Sequence, residues 1–442
     1  MTLQLRVDED REYSPCLGEG DSEANRIKMF GVKRRIALDV LMACWGLGTW
    51  LGVNGLYVQL PLLVERLPEG WALPSSMTVA IASANVGLLL YALLKRFVAR
   101  VPDTAYIYGL LSVGLTALLL NSFLYTETAP IGGSDRSIAF LTLTFFTGLV
   151  GCTSSVLFYP YLRHFRDIYL TTYLVGEGLS GFIPSILALV QGVGGEPDCV
   201  PSADNSTLVP VYPPPRFDST VFILLLAVLA ALSLVSFALV DRCSAFNAER
   251  VAPSAVAKDD EAETQRESLL RPNWIGVMAM MACLNALMNG VLPSVQSYSC
   301  MPYGTQTYHL AVSLSTMANP LACLAGVWLR PVPSAALAAA LAVTAVPFAY
   351  ILTTALMSPA PPLLNTAGGD FLVIISWVVV MGVVSYARMW VYGWARRGGA
   401  RGMRACGAVT QAGSAAGSIT LFFIVNYTGA FTQPDACPPI SI

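Results

Sequence analysis

Apolar residues fall in blocks of about 20, the length needed to cross a ~30 Å hydrocarbon core. Eleven such segments are legible, near 36–63, 77–95, 104–125, 138–160, 169–192, 219–240, 273–293, 308–329, 334–356, 371–394 and 403–427. Membrane β-barrels alternate apolar and polar residues, and these runs do not. The pattern predicts an all-α polytopic membrane protein with eleven transmembrane helices. Pro61, Pro160, Pro184, Pro293 and Pro320 fall in or near the segments. Neighbouring helices satisfy the backbone groups that such residues free.

The short polar stretches between segments orient the chain. With the N-terminus in the cytosol, 23 of the 26 Lys and Arg lie on the cytosolic side, and Arg66, Arg136 and Arg216 lie outside. That bias is the positive-inside pattern, and an added or missing segment would scramble it. The predicted organisation is a cytosolic N-terminal tail 1–35, a six-helix bundle 36–240, a cytosolic linker 241–272, a five-helix bundle 273–428 and an extracellular C-terminal tail 429–442. The polar N-terminal stretch is too long and acidic for a secretory signal, so the first segment is expected to stay as a span. The sequon at Asn205 falls in an outer loop, where glycosylation is expected; the sequon at Asn426 abuts the membrane and is expected to go unused. Cys199, Cys300 and Cys437 face the oxidising side. A Cys199–Cys300 bridge is expected, with Cys437 able to replace either partner.

Composition narrows the function. Hydrophobic residues make up 55% of the 442 and charged residues 12%, with mean hydropathy +0.59 and net charge −2. Soluble proteins carry about 25% charge, so a soluble enzyme is excluded, and the lack of a basic run excludes a nucleic-acid partner. No Gly-rich loop ending in Lys-Ser/Thr provides for ATP, no Ser-His-Asp or His-Glu-x-x-His set suggests catalysis, and the Cys spacing fits no metal. An enzyme is not expected, nor is a cofactor; the lipid bilayer is the implied surrounding.

Shifting the second half back by 234 residues lays Asn319 on Asn85, Gln411 on Glu177 and Ser414 on Ser180; Asn289-Gly290 falls one residue from Asn54-Gly55. A repeat of like topology is the mark of a two-bundle transporter that binds substrate between its halves. A general five-helix offset would produce part of the same agreement.

Polar side chains at membrane depth pair, face a cavity or snorkel. Candidates for a substrate site are Trp50, Asn54 and Gln59 in the first span, Asn85 in the second, Tyr159 in the fourth and Glu177 in the fifth. Asn285, Asn289 and Gln296 follow in the seventh, Asn319 in the eighth and Gln411 in the eleventh. Trp50, Asn54 and Tyr57 share a face at i, i+4 and i+7. Amides beside aromatics suit a planar heterocycle with donors and acceptors on its edge, although interhelical bonding uses the same residues. Glu177 is the only deep carboxylate; with Glu69 and His309 at the outer mouth it is a candidate proton-linked group. Arg388 is read as snorkelling to the cytosol.

Several stretches resemble the eukaryotic riboflavin transporter family of solute carriers. They are Gly46-Leu47-Gly48-Thr49-Trp50 with Asn54-Gly55-Leu56-Tyr57-Val58-Gln59-Leu60-Pro61, then Leu67-Pro68-Glu69-Gly70-Trp71-Ala72-Leu73-Pro74-Ser75. Thr153-Ser154-Ser155-Val156, Tyr159-Pro160 and Val175-Gly176-Glu177-Gly178-Leu179-Ser180-Gly181 are similar too. So are Asn285 through Cys300, Tyr303-Gly304, Tyr308-His309-Leu310-Ala311 and Asn319-Pro320-Leu321-Ala322. The resemblance implies uptake of riboflavin, vitamin B2, across the plasma membrane by alternating access without ATP. It also implies an architecture akin to equilibrative nucleoside transporters and the major facilitator group. The family commonly has Glu where this chain has Gln59, which keeps the hydrogen bonding and loses the titration. Relatives can carry Cys where this chain has Ala360, so a bridge from there to Cys437 cannot form. Sodium-independent, weakly pH-dependent uptake is expected. The competing readings are a nucleoside-like heterocycle carrier and a non-transporting cell-surface receptor of the kind viruses exploit.

Overall fold

The computed structural model describes residues 35–97, 101–195, 197–201, 208–251, 272–328, 332–395, 399–434 and 437. Most of the N-terminal tail, most of the linker and the sequon at Asn205 lie outside the described residues.

The helices are α1 (Ile36–Leu47), α2 (Leu51–Val58), α3 (Leu60–Leu63), α4 (Leu73–Ser83), α5 (Val86–Phe97), α6 (Asp103–Leu124), α7 (Ile138–Leu162), α8 (Asp167–Gln191), α9 (Ser219–Arg242), α10 (Pro272–Ala286), α11 (Leu292–Cys300), α12 (Thr305–Trp328), α13 (Ser334–Leu356), α14 (Ala367–Ala395) and α15 (Gly399–Tyr427). Two small antiparallel hairpins interrupt them. β1 (Ala129–Ile131) pairs with β2 (Ser134–Arg136), and β3 (Asp198–Pro201) with β4 (Leu208–Val211).

Among the described residues, nine helical stretches are long and apolar enough to cross a bilayer, and a tenth arises if α1 and α2, bent by 56°, form one span. The eleventh predicted segment is α12. It is 24 residues long, carries Gln306, Thr307, His309, Ser313, Ser315, Thr316 and Asn319, and is not among those stretches. The first and seventh predicted spans are discontinuous. α1 stops at Gly48, and α2 restarts beyond Trp50; α10 and α11 join through a π-turn at Leu287–Val291. Such turns mark places where a helix is re-aimed, frequently at functional sites.

Side chains on the outer surface are apolar. Val228, Val235, Val343, Val346, Phe371 and Phe423 are exposed, as lipid-facing residues must be. The interior is polar as well as apolar, the reverse of a soluble fold. Asp218 starts α9 by accepting the Val221 amide at 2.9 Å, and Pro333 precedes α13.

Helix contacts repeat between the halves. α1 packs on α8 as α10 packs on α15; α6 packs on α7 as α13 packs on α14; and α4 meets α7 as α12 meets α14. Contacts between the halves run from α8 to α12 and from α4 to α15. The 234-residue shift exchanges these last two pairs, as a twofold axis would. Close backbone approach underlies the matched pairs. A Cβ on Gly176 would sit 2.1 Å from the Ala43 carbonyl oxygen, and one on Gly413 would sit 2.3 Å from that of Ala282.

Polar links between residues 35–251 and 272–437 gather at one end. Ser297 Oγ donates to the Trp71 carbonyl at 2.6 Å, and the Trp71 amide donates to Gln433 Oε1 at 2.8 Å. Thr305 Oγ1 donates to Glu65 at 2.8 Å, and Asn426 Nδ2 to Ser75 Oγ at 3.0 Å. The Trp71 ring meets Tyr298 edge-on, and Tyr298 packs on Phe431. Cys199 and Cys437 form a disulfide at the same end. The expected Cys199–Cys300 bridge is therefore incorrect. Cys300 closes α11 and is fully buried as a free thiol, whereas Cys199 lies on an exposed hairpin strand. The chain is closed at this end. At the other end, described polar contacts stay within a half. Tyr108 and Tyr161 donate to Asp241, and Arg166 pairs with Glu249 at 3.0 Å; Tyr392 meets Thr410 at 3.2 Å.

Candidate substrate site

The break before α2 places Trp50 at the head of that helix, its carbonyl accepting the Asn54 amide at 2.9 Å. The Trp50 ring lies on Gly151 of α7, where a Cβ would come within 2.6 Å of the indole. One turn on, Asn54 Nδ2 donates to Ser180 Oγ at 3.3 Å. Ser180 donates onward to the Glu177 carbonyl at 2.6 Å. Tyr159 donates its hydroxyl to Glu177 Oε2 at 3.1 Å. A Cβ on Gly181 would meet both Asn54 Nδ2 and Thr316 of α12. Four predicted residues, Trp50, Asn54, Tyr159 and Glu177, thus belong to one region where α2, α7, α8 and α12 converge.

The second half repeats the arrangement. Asn289, inside the π-turn, donates to Ser414 Oγ at 2.9 Å, and Ser418 donates back to the Asn289 carbonyl at 3.2 Å. Ser414 is the counterpart of Ser180 under the 234-residue shift, and Asn289 is one residue from the counterpart of Asn54. The same amide–hydroxyl bond therefore joins broken span to glycine-packed span in both halves. Gln411 is half-buried one turn before Ser414.

Other predicted residues are committed locally. Asn85 stands between α4 and α5, donating to the Ala82 carbonyl at 2.9 Å, with its Oδ1 buried and unpartnered. Asn285 is fully buried, donates to the Met281 carbonyl at 2.8 Å and also has an unpartnered Oδ1. Asn319 Oδ1 accepts the Cys323 thiol of its own helix at 3.8 Å. Gln59 is buried, and its Nε2 donates to Gln191, which in turn donates to the Phe217 carbonyl at 2.9 Å. Gln296 is buried in the closed end. Glu69 accepts both the amide of Ser137 at 2.8 Å and its hydroxyl at 2.6 Å. It thereby holds the start of α7, where a carboxylate suits the helix dipole. His309 is buried near the Ala188 backbone.

Sequence reasoning missed the Gln191 partner of Gln59 and the hydroxyls of Tyr392 and Thr410. It also missed the contact of Arg388 with Met288. Arg388 is half-buried, and its Nη1 lies 2.7 Å from Met288 Sδ. A narrow crevice lined by Gly48, Gly52, Gly114, Thr147 and Ala230 lies within the first half and touches none of the predicted site residues.

The profile of solute carrier family 52, riboflavin transporter, matches residues 34–273 and 245–433. "Riboflavin transporter 2" of Salmo salar is 35% identical over 447 residues, covering 90% of this chain and 97% of its own. Member 3-A of Danio rerio is 37% identical over 439 residues (90% and 98%), and member 3 of Homo sapiens is 35% identical over 460 residues (90% and 98%). Among solved structures, a D-xylose–proton symporter superposes with TM-score 0.56 at 12% identity, covering 88% of this chain and 89% of that one. A variant of the nucleoside transporter NupG gives 0.52 at 12% identity, with 90% and 93% covered. These last two show a fold shared with membrane transporters. By profile and by identity across nine-tenths of its length, this chain belongs to the solute carrier family 52 riboflavin transporters, a family of carriers and not of enzymes.

Proposed function

We propose that this chain carries riboflavin into cells across the plasma membrane by alternating access, without ATP and without sodium. The observation that carries this reading is identity of 35–37% over 90% of the chain with proteins named riboflavin transporters. The geometry supports it physically. α12 is the eleventh span, its polar residues turned to the interface between a six-helix bundle, 36–240, and a five-helix bundle, 273–428. The closed end, which includes residues 429–434 and Cys437, is extracellular, with the N-terminus cytosolic. Rocking the halves about the α8–α12 and α4–α15 contacts opens that end and closes the other. The isoalloxazine ring lies between the halves, with Trp50 or Tyr159 against its face. Asn54, Asn85, Asn285, Asn289, Asn319, Gln59, Gln296 and Gln411 supply edge donors and acceptors. Glu177 contributes a hydrogen-bonding carboxyl. Asn205 carries glycan on the extracellular hairpin.

The test is uptake of labelled riboflavin into cells expressing the chain, with and without sodium, against unlabelled flavins and nucleosides. Saturable uptake that flavins inhibit and nucleosides do not is expected. Inhibition by nucleosides alone would overturn the substrate assignment.

A further inference from the structure

A cation stands beside the π-turn of the second half, its contact there a thioether. Arg388 lies on α14, and Met288, which its Nη1 contacts, belongs to the π-turn that also holds Asn289. Its Nε is buried without any partner. No carboxylate among the described residues pairs with it. Ser385, on the same helix, gives its hydroxyl proton to the Met381 carbonyl at 2.6 Å and stands 3.8 Å from Met288 Sδ. A thioether is a weak acceptor, and a buried donor left without a strong acceptor is costly.

The surroundings are those of the candidate site. Tyr392 follows Arg388 by one turn on the same face and meets Thr410, whose carbonyl accepts Ser414 Oγ at 2.8 Å. Ser414 in turn accepts Asn289. Arg388 therefore borders the second half's polar chain of Tyr392, Thr410, Ser414 and Asn289.

We infer that Arg388 is a substrate-contacting residue, whose guanidinium fork donates to the carbonyl-bearing edge of the isoalloxazine. This rests on the riboflavin reading above. The flavin pyrimidine ring presents carbonyl oxygens beside ring nitrogens in one plane, and a planar fork with several N–H groups matches adjacent acceptors as an ammonium cannot. The bound ring supplies what Met288 does not.

The experiment measures riboflavin binding to the purified full chain by flavin fluorescence, alongside thermal melting without ligand, for wild type, Arg388→Met and Arg388→Lys. Arg388→Met is expected to raise Kd by about 10- to 150-fold, the worth of a hydrogen bond to a charged group, with melting unchanged or higher. Arg388→Lys, keeping the charge and losing the fork, is expected to fall between. Wild-type affinity in Arg388→Met overturns the inference and leaves the riboflavin reading standing; wild type that binds no riboflavin overturns both. If the Arg388 variants do not fold, Met288→Cys decides, since it leaves the guanidinium in place. Riboflavin should slow thiol modification of the new cysteine beyond any effect on wild type, and an unaltered rate refutes the contact.

Discussion

The paired bonds Asn54–Ser180 and Asn289–Ser414 separate two roles for the amides, pinning the broken spans or reading the substrate. Each bond joins neutral groups, at 3.3 and 2.9 Å respectively, and such a bond contributes about 1 kcal/mol net to stability. Ser180→Ala and Ser414→Ala remove the hydroxyl and leave each amide in place. If the amides only pin, serine and asparagine variants should melt alike and keep the wild-type KM. If they read the flavin edge, Asn54→Ala and Asn289→Ala lose a buried contact costing about 1–3 kcal/mol, or roughly 5- to 150-fold in affinity. The proposed site predicts that larger effect for the asparagines and less than about threefold for the serines. The assay is riboflavin KM at matched surface levels, with melting of the purified variants beside it. Asparagine variants with wild-type KM would refute the placement of these amides at the substrate.

Four further outcomes follow from the sequence and the geometry. Gly176→Val places a Cβ 2.1 Å from a backbone oxygen that cannot yield, so surface expression should collapse. Gly407→Ala, which meets nothing within 4 Å, should be tolerated and gain up to about 1 kcal/mol of helix propensity. Mass spectrometry of non-reduced peptides should recover Cys199 linked to Cys437, as the disulfide requires, with Cys300 as a thiol; a Cys300 linkage would contradict the closed end described above. Uptake by wild type should change little between neutral and acidic pH, because Gln59 does not titrate, and Glu177→Gln should keep the same profile. Steep acid stimulation that vanishes in Glu177→Gln would assign proton coupling to that carboxyl.

Hydropathy alone located most of the spans, because the requirement for about 20 apolar residues is local. It smoothed over the bend at Gly48–Trp50 and the π-turn at Leu287–Val291, since an average over a window does not register a change of direction. The polar residues of α12 pack against neighbouring helices, α8 and α14 above all. The repeat was visible in Ser180 and Ser414, and the structure gives those positions a shared bond. Pairings across the fold were not visible. Gln59 with Gln191, Glu69 with Ser137 and Cys199 with Cys437 are separated by 132, 68 and 238 residues, and no spacing rule connects them. Arg388 illustrates a different limit. A long side chain near a helix end reaches either water or the interior, and only the position of Met288 decides between them.

Transport of riboflavin by this chain alone is tested most directly with the purified protein in sealed liposomes, without ATP and with sodium absent. Riboflavin placed outside should enter down its gradient, saturably, at rates well above protein-free vesicles, and entry should stop when the concentrations equalise. Protein-containing liposomes that admit riboflavin no faster than empty ones, while the same preparation melts cooperatively, would contradict the assignment of this chain as a riboflavin carrier.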